Sequence, residues 1–131
     1  MTMPIYESAE DYLEAILMIQ EEKGVVHSVD IAERKHFSKP SVSIAMKKLR
    51  ENGYIKMEKS GAITLLEPGR EIAERIYERH RLLTKMFTSL GVDEKTAEED
   101  ACKVEHDLSE VTFQKLKEVY GDDIKDSRHS R

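Results

Sequence analysis

Apolar positions recur every three or four residues along most of the chain, and that spacing sets the predicted elements. Over residues 7–23, Tyr12, Leu13, Ile16 and Leu17, continued by Gln20, fall on one face and predict a helix. Ser8 is its candidate N-cap and Lys23-Gly24 its end. Val25-Val26 is expected to form a short strand. Ser28 is expected to cap a short helix through about Lys35, with Ile31 and Ala32 turned inward. His36-Phe37 reads as a turn. Pro40 suits the first turn of the next helix, with Ser38 or Lys39 as its cap. In that helix Val42, Ala45, Met46 and Leu49 stand at i, i+3, i+4 and i+7, a buried stripe. Asn52-Gly53 closes it, since glycine takes the left-handed position after a helix without strain. The runs "YIKMEK" and "AITLL" flank Ser60-Gly61 and predict a β-hairpin. A long helix is expected from Pro68 to about Leu90, with Ile72, Ala73, Ile76, Leu83, Met86, Phe87 and Leu90 on its apolar side. Gly91 interrupts it. Asp93 caps a helix to about His106, and Ser109 a last one to about Tyr120. The polar tail "GDDIKDSRHSR" is expected to fray.

The order of elements predicts a mainly α protein. Short helix, tight turn, second helix and two-stranded hairpin form a winged helix-turn-helix pattern. It occupies residues 1–67, and residues 68–131 form a helical second domain. The 131 residues suffice for one domain of ordinary size or two small ones. No apolar run approaches the length of a membrane span, and the N-terminus has no basic n-region, so a cytoplasmic protein is expected. A single cysteine excludes an intramolecular disulfide framework.

Net charge, −5, argues against a polyanionic partner, but its distribution reverses that reading. Residues 1–27 carry −5, residues 28–61 carry +4 and residues 62–131 carry −4. The basic island coincides with the helix-turn-helix, and association with nucleic acid depends on the local patch. With Val42, Ala45, Met46 and Leu49 inward, the outward face of the second helix holds Ser41, Ser43, Ile44, Lys47 and Lys48. Ser38, Lys39 and Pro40 lead into it. Hydroxyls near a helix start suit phosphates and base edges, and lysines suit phosphates. Ile44 suits a thymine methyl. Lys56 and Lys59 put charge on the wing. The blander reading is a helix-turn-helix packing unit with a solvated basic face, which serves as a protein-binding module.

A second constellation is acidic and soft. Asp11 and Glu14 are i, i+3 on the first helix. His80 lies in the long helix. Cys102, Glu105 and His106, in "ACKVEH", are i, i+3, i+4 on the next. Each intrahelical group shares a face. Imidazole, thiolate and carboxylate together suit divalent first-row transition metals. Taken singly, His80 reads as a core histidine between Ile76 and Leu83, Cys102 as a small buried hydrophobe, and Asp11 and Glu14 as surface acids. The group lacks the spacing of a structural zinc site, and there is no H-E-x-x-H. His27, His36 and His129 have no partners at ligand spacing and read as surface residues.

The order of these motifs resembles the diphtheria-toxin-repressor family of metal-dependent transcriptional regulators, and most its short manganese-transport-regulator branch. The resemblance runs through "EDYLEAI", "VDIAE", "PSVSIAMKKLRENGYI", "RHRLL" and "CKVEHDLS", to about residue 120. It implies a homodimer with an N-terminal winged helix and a helical metal-binding and dimerisation domain, without the SH3-like domain that some members add. It implies Asp11, Glu14, His80, Glu105 and His106 as metal ligands. Cys102 departs from the manganese branch, which has a carboxylate there, and matches the iron branch. Asp11 departs from the iron branch, which has methionine. Thr84 stands where members often have a carboxylate, and Glu98, one turn before Cys102, is a weaker extra ligand. The implied cofactor is Mn²⁺ or Fe²⁺, with Zn²⁺ or Co²⁺ as substitutes. The implied partner is pseudo-palindromic double-stranded operator DNA, and the implied function is repression of metal-uptake genes.

Three readings compete with a metal-dependent regulator. A winged-helix regulator of an organic ligand requires an apolar pocket, which Asp11, Glu14, Glu105 and His106 would line poorly. A regulator responding to thiol oxidation requires an exposed, low-pKa Cys102. A zinc hydrolase using Cys102, His106 and His80 with Glu105 as base would have no use for the helix-turn-helix.

Overall fold

The computed structural model describes the backbone of residues 7–129 and the side chains of residues 7–121. Its elements are α1 (Glu7–Lys23), α2 (Ser28–Lys35), α3 (Lys39–Glu51), β1 (Ile55–Met57), β2 (Ile63–Leu65), α4 (Glu67–Ser89), α5 (Glu94–Val104) and α6 (Glu110–His129). The chain divides between Arg75 and Ile76 into two compact units.

In the first unit, α1 buries Tyr12, Leu13, Ala15, Ile16, Leu17 and Ile19, and Ile31, Ala32, Val42, Met46, Leu49, Ile55, Ile63 and Leu65 complete the core. The α2–α3 turn is tight because His36 takes a left-handed conformation, φ 58°. Phe37 then meets Tyr12 edge to face, with ring centroids 5.5 Å apart. Ser38 caps α3 and accepts a hydrogen bond from the Ser41 N–H at 3.2 Å. β1 and β2 pair antiparallel, Ile55 with Leu65 and Met57 with Ile63. At the start of α4, a Cβ on Gly69 would stand 2.2 Å from the Tyr54 carbonyl oxygen, so only glycine lets the helix begin there.

The second unit holds the remaining turns of α4 with α5 and α6. Ile76, Leu82, Leu83, Ala97, Ala101 and Phe113 are buried. Asp93 caps α5, accepting from the Thr96 N–H at 3.0 Å, and Ser109 accepts from the Thr112 N–H at 3.1 Å.

Several expected details differ. Ser8 lies inside α1, one residue past its first described turn position. His27, not Ser28, is the N-cap of α2, because the Asp30 carboxylate accepts the His27 N–H at 2.8 Å. The Val25-Val26 strand reduces to one bridge, Val26 to Ile63. Leu90 is 79% exposed and lies beyond α4. Helix α5 ends at Val104, with Glu105 as its cap, two residues short of His106. The tail continues α6 to His129 rather than fraying from Gly121. Residues 1–6 and 130–131, which include the ends of the leader and tail readings, lie outside the described residues, as does the His129 side chain. Among the described residues no helix is long and apolar enough to cross a membrane.

Candidate functional site

Helix α4 and the α5–α6 corner bring three of the predicted ligands together within the second unit. The His80 Nδ1 stands 2.9 Å from Glu105 Oε1. The His106 Nε2 stands 3.5 Å from Glu105 Oε2. The Glu105 side chain is fully buried, and that of His106 is 2% exposed. Burying a carboxylate is expensive unless positive charge or strong donors meet it. Here an imidazole nitrogen faces each oxygen. Two atoms ligating one ion at about 2.1 Å each and at right angles lie about 3 Å apart, the spacing of His80 Nδ1 and Glu105 Oε1, whereas His106 Nε2 stands wider, at 3.5 Å from Oε2. Cys102 is half-buried on α5, and its predicted companion Glu98, one turn earlier, is exposed. Thr84 is half-buried with its hydroxyl oxygen inaccessible.

Asp11 and Glu14 stand on α1 in the first unit. Glu14 is buried, contrary to its reading as a surface acid, and Asp11 is half-buried. The Asp11 carboxylate lies 3.8 Å from the Lys35 ammonium, at the end of α2. Burial first, and then the Asp11 charge, push the neighbouring Tyr12 phenol up, so it stays neutral at physiological pH.

The ten residues predicted to face DNA are all exposed: Ser38, Lys39, Pro40, Ser41, Ser43, Ile44, Lys47 and Lys48 at α3, and Lys56 and Lys59 at the wing. Ile44, at 59%, is the most exposed large apolar residue described in the first unit. Two of the set have other work as well. The Ser38 hydroxyl donates to Ser41 Oγ at 2.8 Å, and Lys56 pairs with Glu58 at 3.2 Å.

Arg79 is absent from the sequence-derived list. Its guanidinium is buried and donates to the carbonyl oxygens of Glu105 and Leu108. A signal was available: Arg79 sits three residues after Ile76 and four before Leu83, a charge on the apolar stripe of α4.

Residues 5–63 match the domain family described as iron dependent repressor, N-terminal DNA binding domain. Residues 66–130 match iron dependent repressor, metal binding and dimerisation domain. The chain is 38% identical over 122 residues to the uncharacterized HTH-type transcriptional regulator MJ0568 of Methanocaldococcus jannaschii, covering 92% of this chain and 97% of that one. It is 38% identical over 109 residues to the HTH-type transcriptional regulator MntR of Bacillus subtilis, covering 83% of this chain and 75% of MntR. Among solved structures, a manganese-dependent transcriptional repressor in complex with manganese superposes with a TM-score of 0.78 at 31% identity. That match covers 86% of this chain and 52% of the other, so this chain spans about half the length of the solved structure.

Proposed function

The chain belongs to the family of iron- and manganese-dependent transcriptional repressors typified by the diphtheria-toxin repressor and the manganese transport regulator, and from that premise we propose that it is a divalent-metal-dependent DNA-binding regulator acting in the cytoplasm as a repressor of metal-uptake genes. The observation that carries the reading is the convergence of His80 and His106 on the two oxygens of fully buried Glu105. No competing reading has an observation of that kind behind it, and no catalytic step is assigned to these residues.

In this reading Asp11, Glu14, His80, Cys102, Glu105 and His106 hold Mn²⁺ or Fe²⁺, with Glu98 as a weaker contributor. When bound, the ion would supply positive charge and a coordination centre to these residues. Without it, the carboxylates of Asp11, Glu14 and Glu105 carry like charges that no bound ion offsets. With that charge neutralised, a dimer presents its two α3 helices at one separation. Such a pair reads half-sites about 34 Å apart in the major groove of a pseudo-palindromic operator. Leu90, Val111, Val119 and Tyr120 are exposed apolar residues of the second unit and suit association with a second copy.

Calorimetric titration with Mn²⁺ tests the site. Wild type takes up the ion, and His106→Ala loses most of that affinity while keeping the helical circular-dichroism spectrum. A His106→Ala protein that binds Mn²⁺ as wild type does would show the ligand set to be wrong.

A further inference from the structure

We infer that Arg79 is a positioning residue for the metal ligands of the second unit, setting the α5–α6 corner that presents Glu105 and His106 beside His80. The inference rests on the metal reading above and adds a residue that ligates nothing itself. Arg79 is 6% exposed. Its Nη1 donates to the Glu105 carbonyl oxygen at 3.1 Å and also to that of Leu108. Its Nη2 lies 3.6 Å from Glu110 Oε1, and its guanidinium carbon lies 5.1 Å from the centre of the Phe113 ring.

These contacts span the whole corner. Glu105 and Leu108 bracket the residues between α5 and α6, and Glu110 and Phe113 lie in the first turn of α6. Backbone carbonyls at a helix end otherwise have no intrahelical partner. Arg79, from a neighbouring helix, satisfies one such carbonyl, that of the α5 cap Glu105, together with that of Leu108 in the connection to α6, and so fixes where the chain turns. The next residue on α4, His80, meets the side chain of the same glutamate. Adjacent residues of one rigid helix therefore hold Glu105 by its main chain and by its carboxylate, and His106 follows directly. Packing alone does not call for an arginine here, because an apolar residue would fill the space without burying a charge. What arginine adds is a planar fork of several donors, which a lysine ammonium does not reproduce.

Arg79→Met and Arg79→Lys in the full chain test the role, with Mn²⁺ alone as the calorimetric probe and the visible absorption of Co²⁺ as the signature of ligand geometry. Residues that orient metal ligands without touching the ion typically contribute about 10–100-fold in affinity. The expected result is a loss of Mn²⁺ affinity in that range for Arg79→Met, a smaller loss for Arg79→Lys, and an altered Co²⁺ spectrum in both. Circular dichroism reports the folded fraction, and if the methionine variant fails to fold, the lysine variant carries the test. Folded variants with wild-type Mn²⁺ affinity and an unchanged Co²⁺ spectrum would overturn the role, as would an affinity loss that only tracks the unfolded fraction. A wild-type protein that takes up neither ion would instead defeat the metal reading on which the inference rests.

Discussion

Within the proposed ligand set, Cys102 is the one thiol among carboxylates and imidazoles. A thiolate favours Fe²⁺, Co²⁺ and Zn²⁺ over Mn²⁺, whereas Asp11, Glu14 and Glu105 favour harder ions. Cys102→Glu is therefore expected to move the order of metal affinities toward Mn²⁺, as read by competition titration among Mn²⁺, Fe²⁺, Co²⁺ and Zn²⁺. An unchanged order would place selectivity elsewhere. The spacing of Cys102, Glu105 and His106 singled them out in the sequence as residues sharing a helix face, but α5 ends at Val104, before Glu105 and His106. The burial of Glu14 and the contacts of Arg79 were harder to read. Both depend on what packs against a helix, and a charged residue on an apolar stripe looks like an interruption until its partners are known.

Helices α2 and α3 have separate weak points. The Lys23 hydrogen bond, and after it the backbone N–H of His27, hold the Asp30 carboxyl below the usual carboxylate range. A depressed pKa adds stability that is present above the ordinary carboxylate value and is lost as pH falls through the folded one. Asp30→Asn should cost about 1 kcal/mol, the usual value of a helix cap, near neutral pH. The gap in stability from wild type should narrow below about pH 4 in denaturant titrations. A gap that does not change with pH would mean that the carboxylate charge contributes nothing. On α3, exposed Ile44 has no polar atom with which to read a base and can only meet a methyl group. In a duplex selected by the protein, replacing contacted thymines with uracil should weaken wild-type binding about fourfold per lost contact, or about 0.8 kcal/mol. Ile44→Ala should not respond to the same change, and an equal response in both proteins would remove Ile44 from base reading. The helices were legible because their apolar stripes are long, and the tight turn and hairpin because their turn residues are distinctive. The caps Ser38, Asp93 and Ser109 were legible too, but the α2 cap was not: Ser28 is the better capping type, yet Asp30 rewards His27. The end of α6 was not either, since past Tyr120 there is no apolar stripe to mark it.

At the scale of the molecule, net charge and local charge point in opposite directions. The chain carries −5 overall, yet residues 28–61 carry +4, and Lys39, Lys47, Lys48, Lys56 and Lys59 are exposed on α3 and the wing. An acidic remainder disfavours indiscriminate attachment to nucleic acid and makes binding depend on presenting the basic face correctly. The order of elements was readable from the sequence because the apolar stripes are separated by turn residues such as Gly24, Gly53, Gly61 and Gly91. The burial of the two imidazoles around Glu105 required the fold. The central claim, that metal governs DNA binding, is tested most directly by fluorescence anisotropy of a duplex selected by the Mn²⁺-loaded protein, titrated at fixed salt with chelator and then with Mn²⁺. Linked equilibria of this kind shift affinity by about 5–150-fold, and the account predicts tighter binding with Mn²⁺ within that range. Equal affinity in chelator and in Mn²⁺ would contradict it.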